Sequence, residues 1–555
     1  MKNTLKKLFG KFTLPKEPNN DSLVRMLAGD PESWKNYIES ANGMNILIAT
    51  SMANYNAASM LERALAVALT MRGARVDFLL CDSVLPACQM TKLHDCEPQR
   101  LLERPDTPRC ADCLLEATNT FDTLRLRVFR FSQYLTDQDL REAAEIEQQT
   151  PIGDIPQYSL DGLSVGEHAY AGALRYYGRA DLEGEPLGAP ILRRFLRSAL
   201  LSAAVMKEVL RRQKYDVVVF HHGIYAPQGI IGEVCRSRGV RVVNWNPSYR
   251  KNTFIFSHQN TYHHTMITES VSAWDTISMT AEIELILNQY LTSRREGSAD
   301  WIWFHETPKG DMEAFATEFG IDWRKPCIGL LTSVMWDAQL HYEANAFPSM
   351  MDWIVYTIEC FRRRPELQLL IRVHPAEVRG MVPSRQRVVD ELNRLITVMP
   401  DNVFVVPPEN QASTYALMDR CDTTLIFNTK TGIELSAIGI PVIVAGEAWI
   451  RGKGFSIDVS SADEYERILE KLPLGEKISG IQLCRARQYA FHFFFRRMIE
   501  LPFIVHELKF SLDLQSLVEL SPGSHEGLDI ICDGILNGSS FVYPYEGRCS
   551  PAATG

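Results

Sequence analysis

At 555 residues the chain has the length for roughly two to four domains, each able to bury its own core. Hydrophobic residues make up 46% and charged residues 23%, the balance of a soluble globular protein, and the net charge is −10. That acidity argues against a general nucleic-acid binder. No apolar run reaches the length of a membrane span and no signal peptide opens the chain, which predicts a cytoplasmic protein.

The opening "MKNTLKKLFGKFTLPK" sets Leu5, Leu8, Phe9 and Phe12 at helical spacing, with Lys2, Lys6, Lys7 and Lys11 on the other face. Residues 1–43 are read as a leader. Its start is either a cationic amphipathic segment lying on an anionic membrane, peripheral at the inner face of the plasma membrane, or a frayed and solvated one. "MNILIAT" (44–50) predicts a buried strand, residues 54–72 a helix with Gly73 at its C-cap, and "ARVDFLLCD" (74–82) the next strand. This is the opening of a doubly wound α/β domain.

Residues 83–190 are less regular and read as an insertion. Five of the 12 cysteines, Cys81, Cys88, Cys96, Cys110 and Cys113, fall in or beside its first part. In a cytosolic protein a disulfide framework is not expected. Cys110-x-x-Cys113, with Cys88 and Cys96, is a candidate structural zinc or iron–sulfur site, and buried free thiols are the alternative.

The α/β pattern returns with a helix near 191–213, "YDVVVFHHGIY" (215–225) and "VRVVNWNPSY" (240–249). Strands apolar throughout fit a parallel sheet covered on both faces. The histidines of "NTYHH" (260–264) read as surface residues. A first domain over 44–295 and a linker over 296–324 lead to a second domain over 325–485. Its strands are "KPCIGLLTSVMWDAQ" (325–339), "LQLLIRVHPAE" (367–377), "NVFVVPP" (402–408), "CDTTLIFNTKTG" (421–432) and "IPVIVAG" (440–446). Residues 486–555 hold an amphipathic helix, with Arg496 and Arg497 on its polar side, and a tail. Two doubly wound units bind ligands at the carboxyl ends of their strands, so the expected site is the cleft between them.

The strand ends of the second domain are polar. They carry Thr332, Ser333, Trp336 and Asp337, then Arg372, His374 and Glu377, then Asn428, Thr429, Lys430, Thr431 and Gly432, followed by Glu434. Hydroxyls before a helix start, a histidine at the neighbouring strand end, and Arg451 and Lys453 returning near the same edge read together as a phosphate or diphosphate clamp. Glu434 is left to accept from a ribose hydroxyl. A plain N-cap accounts for one of the threonines.

"TSVMWDA", "RVHPAE", "NTKTGIELSAIGIPVIVAGEAWIRGKGFSID" and "GLDIICDGIL" resemble the capsule and surface-polysaccharide biosynthesis glycosyltransferases, which have the two-Rossmann GT-B fold. The resemblance covers the second half and implies transfer of a sugar from a CMP-, UDP-, GDP- or dTDP-linked donor to a glycan or lipid-linked acceptor. Its His-Pro motif and Ser/Thr-rich loop are similar to those of bacterial sialyltransferases and Kdo transferases, which implies that His374 contacts the donor phosphate. The acidic pair before glycine of the sialyltransferases is replaced by His221-His222-Gly223. No cofactor is implied for catalysis. The base is expected from the first domain, with His222 as candidate, His221 next, and Asp82 as a carboxylate alternative. Asn54 and Asn56 are acceptor-side candidates or helix caps. Two other readings stand beside this one: a non-hydrolysing nucleotide-sugar epimerase, and a non-catalytic glycan-binding subunit of a polysaccharide assembly.

Overall fold

A computed structural model describes residues 22–104, 106–296, 300, 311–338, 344–506 and 509–544. In the N-terminal half, β1 (Asn45–Ser51), β2 (Arg75–Leu80), β3 (Arg127–Arg130), β4 (Val217–His221), β5 (Arg241–Pro247) and β6 (Thr253–His258) form one sheet. In the C-terminal half, β7 (Cys327–Leu331), β8 (Gln368–Arg372), β9 (Val403–Val406), β10 (Thr423–Ile426), β11 (Val442–Val444) and β12 (Ile457–Asp458) form a second. A last strand, β13 (Ile499–Glu500), returns to the first.

The strand orders are β13-β6-β5-β4-β1-β2-β3 and β12-β11-β10-β7-β8-β9. Each half starts at the centre of its sheet and reverses there, between β1 and β4 and between β7 and β10, which is the doubly wound pattern. β1 to β5 pair in parallel, as do β7 to β12, and β6 and β13 add antiparallel strands at one edge. Two such units facing a cleft make the GT-B architecture.

The alternation of side chains explains why the strands read as apolar runs. On β1, Ile46 and Ile48 enter the core under the helix Asn56–Met71. Leu47 and Ala49 enter the core under the helices Val165–Tyr177 and Gly188–Arg212. On β7, Ile328 and Leu330 go to one core, and Cys327 and Leu331 to the other.

Three segments differ from their sequence reading. The amphipathic start of the leader, within residues 1–21, lies outside the described residues. Ser22–Gly29 and Pro31–Ser40 are helices on the first core, with Leu23 and Trp34 buried and Trp34 Nε1 donating to Leu124 O at 2.7 Å. The segment read as an insertion supplies β3, an edge strand of the first sheet. Four residues with an arginine at each end carry little strand signal. The neighbouring strand supplies the balance, since Arg127 donates to the buried Asp77 at 2.8 and 2.7 Å. Of the expected linker, residues 297–299 and 301–310 lie outside the described residues, and Met312–Phe319 is a helix in the second half's core.

The chain crosses between the halves twice. The helix Ala281–Glu296 leads out. The helix Gly480–Phe491 and the wide turn His492–Arg497 lead back to β13 and to the helix Glu526–Asn537 on the first core. The crossings touch, with the rings of Tyr290 and Phe494 centred 4.8 Å apart and Arg487 paired with Glu284. Arg497, read as part of a polar face, is buried and donates to the carbonyls of Phe541 and Phe256. Among the described residues no helix is long and apolar enough to cross a membrane.

Candidate active site

A cleft of about 3190 Å³, counted to its open mouth, runs between the halves. Its walls are the ends of β4 and β5 with Tyr55 from beyond β1 on one side, and the ends of β7, β8 and β10 on the other. In a chain of net charge −10, six cations line it against three carboxylates. The cations are Arg175, Arg294, Arg295, Arg372, Arg379 and Lys430. This local excess of positive charge favours an anionic ligand.

On the C-terminal side the cleft gathers Ser333, Trp336, Asp337, Arg372, His374, Asn428, Thr429, Lys430 and Thr431. His374 is fixed from behind: its backbone N–H donates to Thr332 Oγ1 at 2.9 Å, and its Nδ1 accepts from Ala376 N at 3.1 Å. Burial first, then Arg372 and Lys430, push the imidazole down to about 4, so it is neutral near pH 7. A neutral ring whose Nδ1 accepts carries its proton on Nε2, a donor toward a ligand oxygen. Ser333 donates to Asn428 across the ends of β7 and β10. Thr429 Oγ1 accepts from Thr431 N at 3.4 Å, a loose cap that leaves both hydroxyls at the cleft wall.

Lys430 anchors a buried ionic network that the sequence pattern does not reveal. Its Nζ lies 2.5 Å from Glu434 Oε1 and 4.3 Å from the ring centre of Tyr249. Glu434, 2% exposed, also pairs with Arg294 at 3.2 Å and accepts from Tyr415. Burial works against its charge, yet Arg294 and Lys430 hold the carboxyl down to about 2. Lys430 itself is pushed down to about 8, chiefly by burial. The expected ribose contact of Glu434 is corrected accordingly: its oxygens already hold two cations and a phenol.

The rest of the expected clamp is dispersed. Arg451 donates to the carbonyls of Gly446, Val444 and Val459 at 2.9, 3.2 and 2.7 Å. Lys453, 2% exposed, reaches the carbonyls of Ile267 and Glu269 in the first half, at 3.1 and 2.5 Å. Arg372 lines the floor, but it donates to the carbonyls of Pro407 and Asn410 at 2.7 and 2.9 Å and holds that loop in place. Glu377 is buried away from the cleft, pushed up to about 7 by burial, and accepts from Val388 N at 3.3 Å. Gly432 serves packing, since an added Cβ would stand 2.7 Å from Ile426 Cδ1 and 2.9 Å from Ile450 Cδ1. Asp337 remains at the cleft and accepts from Tyr225 OH at 3.0 Å, a bond across the two halves.

On the N-terminal side His222 stands just past the end of β4 with φ of +63°. A side chain as large as histidine pays strain in that left-handed region, and such residues concentrate at working sites. Its Nδ1 is buried without a hydrogen-bond partner among the described residues, and the residue lines the cleft. Burial, then His221 and Arg175, push its ionisation well below the ordinary histidine value, so the neutral, proton-accepting form dominates. Behind it, His221 N donates to Thr50 Oγ1 at 2.8 Å, and Thr50 donates to Glu62, which also accepts from Trp245 at 2.9 Å. Burial raises Glu62 to about 8. Asp82 does not line the cleft; its carboxylate accepts from Ser132 N at 3.0 Å and from the Ser132 hydroxyl. Asn56 binds the backbone of Phe510 through both amide atoms, at 3.0 and 2.6 Å. His263, read as a surface residue, lines the cleft with its ring 5.7 Å from that of Trp449.

The four cysteines proposed from spacing do not form one group. Cys81, Cys88, Cys110 and Cys113 line a small separate cavity with Met52 and Pro227, whereas the Cys96 thiol faces Glu97 O at 3.7 Å. Burial pushes the Cys81 and Cys113 thiols up to about 12 and about 11, and the Cys88 thiol up as well. Among the described residues no group of three or more His, Cys, Asp or Glu is arranged to hold a metal ion.

Fold and cleft together define a two-domain α/β protein of GT-B architecture. Residues 324–473 match the family described as "Capsule polysaccharide biosynthesis protein". The match spans β7 to β12 and every cleft residue named from the second half, so the resemblance read in the motifs is shown for that segment. No curated protein matches the chain. Among solved structures it is similar to two KpsC transferases of Thermosulfurimonas dismutans, titled beta Kdo 2,4 and beta Kdo 2,7 transferase. Each is 12% identical, with TM-scores of 0.33 and 0.30, over 49% and 51% of this chain and 79% of each of those. It is also similar to a UDP-GlcNAc 2-epimerase from Neisseria meningitidis at 9% identity and TM-score 0.23, over 80% of this chain and 98% of that one. Values this low carry no argument about activity.

Proposed function

We propose that the protein is a glycosyltransferase that moves a sugar from a nucleotide-sugar donor, held by the C-terminal half, to a capsular or surface-glycan acceptor held by the N-terminal half. The observation that carries this reading is the meeting, in one cleft, of a strained neutral histidine from one half and a set of phosphate-type donors from the other. The family match falls on the half that bears those donors.

In this reading His374 Nε2–H and the hydroxyls of Thr429 and Thr431 take the charge that builds on the departing phosphate. His222 Nε2 accepts the proton of the attacking hydroxyl. Closure of the halves over the cleft removes water, which would otherwise compete as acceptor. The cationic start of the leader, within residues 1–21, would hold the enzyme at the inner membrane face, near a lipid-linked acceptor.

A thermal-shift panel of CMP, UDP, GDP and dTDP tests the donor half, because a ligand of the folded state raises its melting temperature. One nucleotide is expected to stabilise clearly. His374→Ala is expected to weaken its binding about 10- to 100-fold, the effect of a lost bond to a charged oxygen, and Thr431→Ala by less. Incubation with the matching nucleotide sugar alone is expected to give no epimerised sugar. Absence of any nucleotide-induced shift would overturn the assignment.

A further inference from the structure

Of the six cations at the cleft, several already have protein partners. Arg294 and Lys430 share Glu434, Arg295 binds Asp419 at 2.8 and 3.0 Å, and Arg372 binds backbone carbonyls. Arg175 is different. It projects from the helix Val165–Tyr177, inside the segment that the sequence marks as irregular, and no carboxylate of the described residues lies within 4.0 Å of it. Its guanidinium donates from Nη1 to Gln89 O at 2.6 Å, and its Cζ stands 5.3 Å from the ring centre of Tyr225. A guanidinium has five N–H donors in a rigid fork suited to carboxylate and phosphate.

The surroundings form a pocket rather than a bare charge. Gln89, 8% exposed, lines the cleft beside Arg175, and its Oε1 is buried without a hydrogen-bond partner among the described residues. The NH2 group at the other side of that amide is a second donor for an anion. Tyr225 joins the pocket to the base, because its ring is centred 5.1 Å from the His222 imidazole. Tyr55 closes the same side, with its OH 3.3 Å from His221 Nε2. All of these residues belong to the half that receives the acceptor.

We propose that Arg175 and Gln89 form an anion subsite for the acceptor, taking a carboxylate or phosphate that the glycan carries beside its reacting hydroxyl. The claim rests on the glycosyltransferase reading and deepens it by naming the acceptor class: an acidic glycan rather than a neutral one. The anion gives the half-buried guanidinium a counter-charge within hydrogen-bond range, and it sets the neighbouring hydroxyl against His222.

The test uses the full chain with its stabilising nucleotide at saturation, so that the donor half is filled. Saturation-transfer NMR compares methyl glucoside, methyl glucuronide and methyl glucoside 6-phosphate. At least one acidic probe is expected to bind about tenfold or more tightly than the neutral one, as charge-assisted pairing predicts. Whichever acid is preferred identifies the group. Arg175→Gln is expected to abolish the preference and Arg175→Lys to retain part of it, with the nucleotide's melting shift unchanged in both. Equal binding of all three probes, no binding of either acid, or a preference that survives Arg175→Gln would overturn the subsite. Loss of the nucleotide shift in Arg175→Gln would assign the residue to the donor instead, and would also overturn it. If no nucleotide shifts the wild-type melting curve, the glycosyltransferase reading fails by itself, and the same probes on the free protein still decide the subsite.

Discussion

The two halves share a strand order, yet they handle charge at their strand ends in different ways. In the C-terminal half, Arg372 and Arg451 have their donors on backbone carbonyls, Lys453 reaches across to carbonyls of the partner half, and Lys430 is neutralised by Glu434. In the N-terminal half, Arg175, a cation that bears on the candidate base, has no carboxylate of the described residues within 4.0 Å, and His222 sits in a strained backbone conformation. The difference teaches that one half builds a rigid floor with its cations, while the other keeps reactive and charged groups exposed to a ligand. A buried cation with saturated donors is architecture, and a half-buried cation with N–H donors to spare is open to a ligand.

The largest expected effect tests the reactive side. His222→Asn, which tolerates the left-handed backbone, is expected to lower the rate of sugar transfer about 10²- to 10⁴-fold while the nucleotide's thermal shift persists. Transfer at the wild-type rate would remove His222 from the chemistry. Next comes the ionic floor. Glu434→Gln leaves Lys430 buried without its anion, while Arg294 keeps Asp300, and is expected to cost about 3–5 kcal/mol in urea unfolding. The pH dependence follows from a carboxyl held at about 2 in the folded chain. Its contribution is complete above the unfolded value near 4.5 and is lost as pH falls from there through about 2, so the wild type and Glu434→Gln should converge in stability in acid.

Lys453→Met is expected to cost less, about 1–3 kcal/mol, by leaving the Ile267 and Glu269 carbonyls unpaired, with nucleotide affinity unchanged. A large loss of affinity would return Lys453 to the donor site. The smallest effect concerns the acid limb of the pH–rate profile. Arg175, His221, Tyr225 and His263 face the His222 ring, and Arg175 is one of the causes of its lowered ionisation. Removing that cation makes the imidazolium easier to form. Arg175→Gln should therefore lose activity at a higher pH than the wild type as the solution is acidified. An unmoved limb would separate Arg175 from the base.

The architecture was legible because its strands are apolar on both faces. Ile46, Leu47 and Ile48, or Ile328 and Leu330, leave little room for another reading. β3 was not legible, because a four-residue edge strand with arginines at its ends depends on Asp77 of its neighbour. At the site, His374, the threonines and His222 could be placed from their positions after strands, since a doubly wound sheet sends those positions to the cleft. Lys453, Arg451 and Glu434 could not, because the same side chain binds a ligand or a carbonyl according to what the fold brings within 3 Å of it. Arg175 and His263 lay beyond sequence reasoning for the converse reason. Neither follows a strand, and tertiary packing alone brings a helix of the irregular segment, and another after β6, to the cleft wall.

The paired crossings have a mechanical consequence. The outgoing helix and the returning turn lean on each other through Tyr290 and Phe494, and the outgoing helix carries Arg294, which is clamped to Glu434 of the far lobe. Two tethers braced against each other at one end of a slot act like the spine of a book: they resist sliding of one cover past the other.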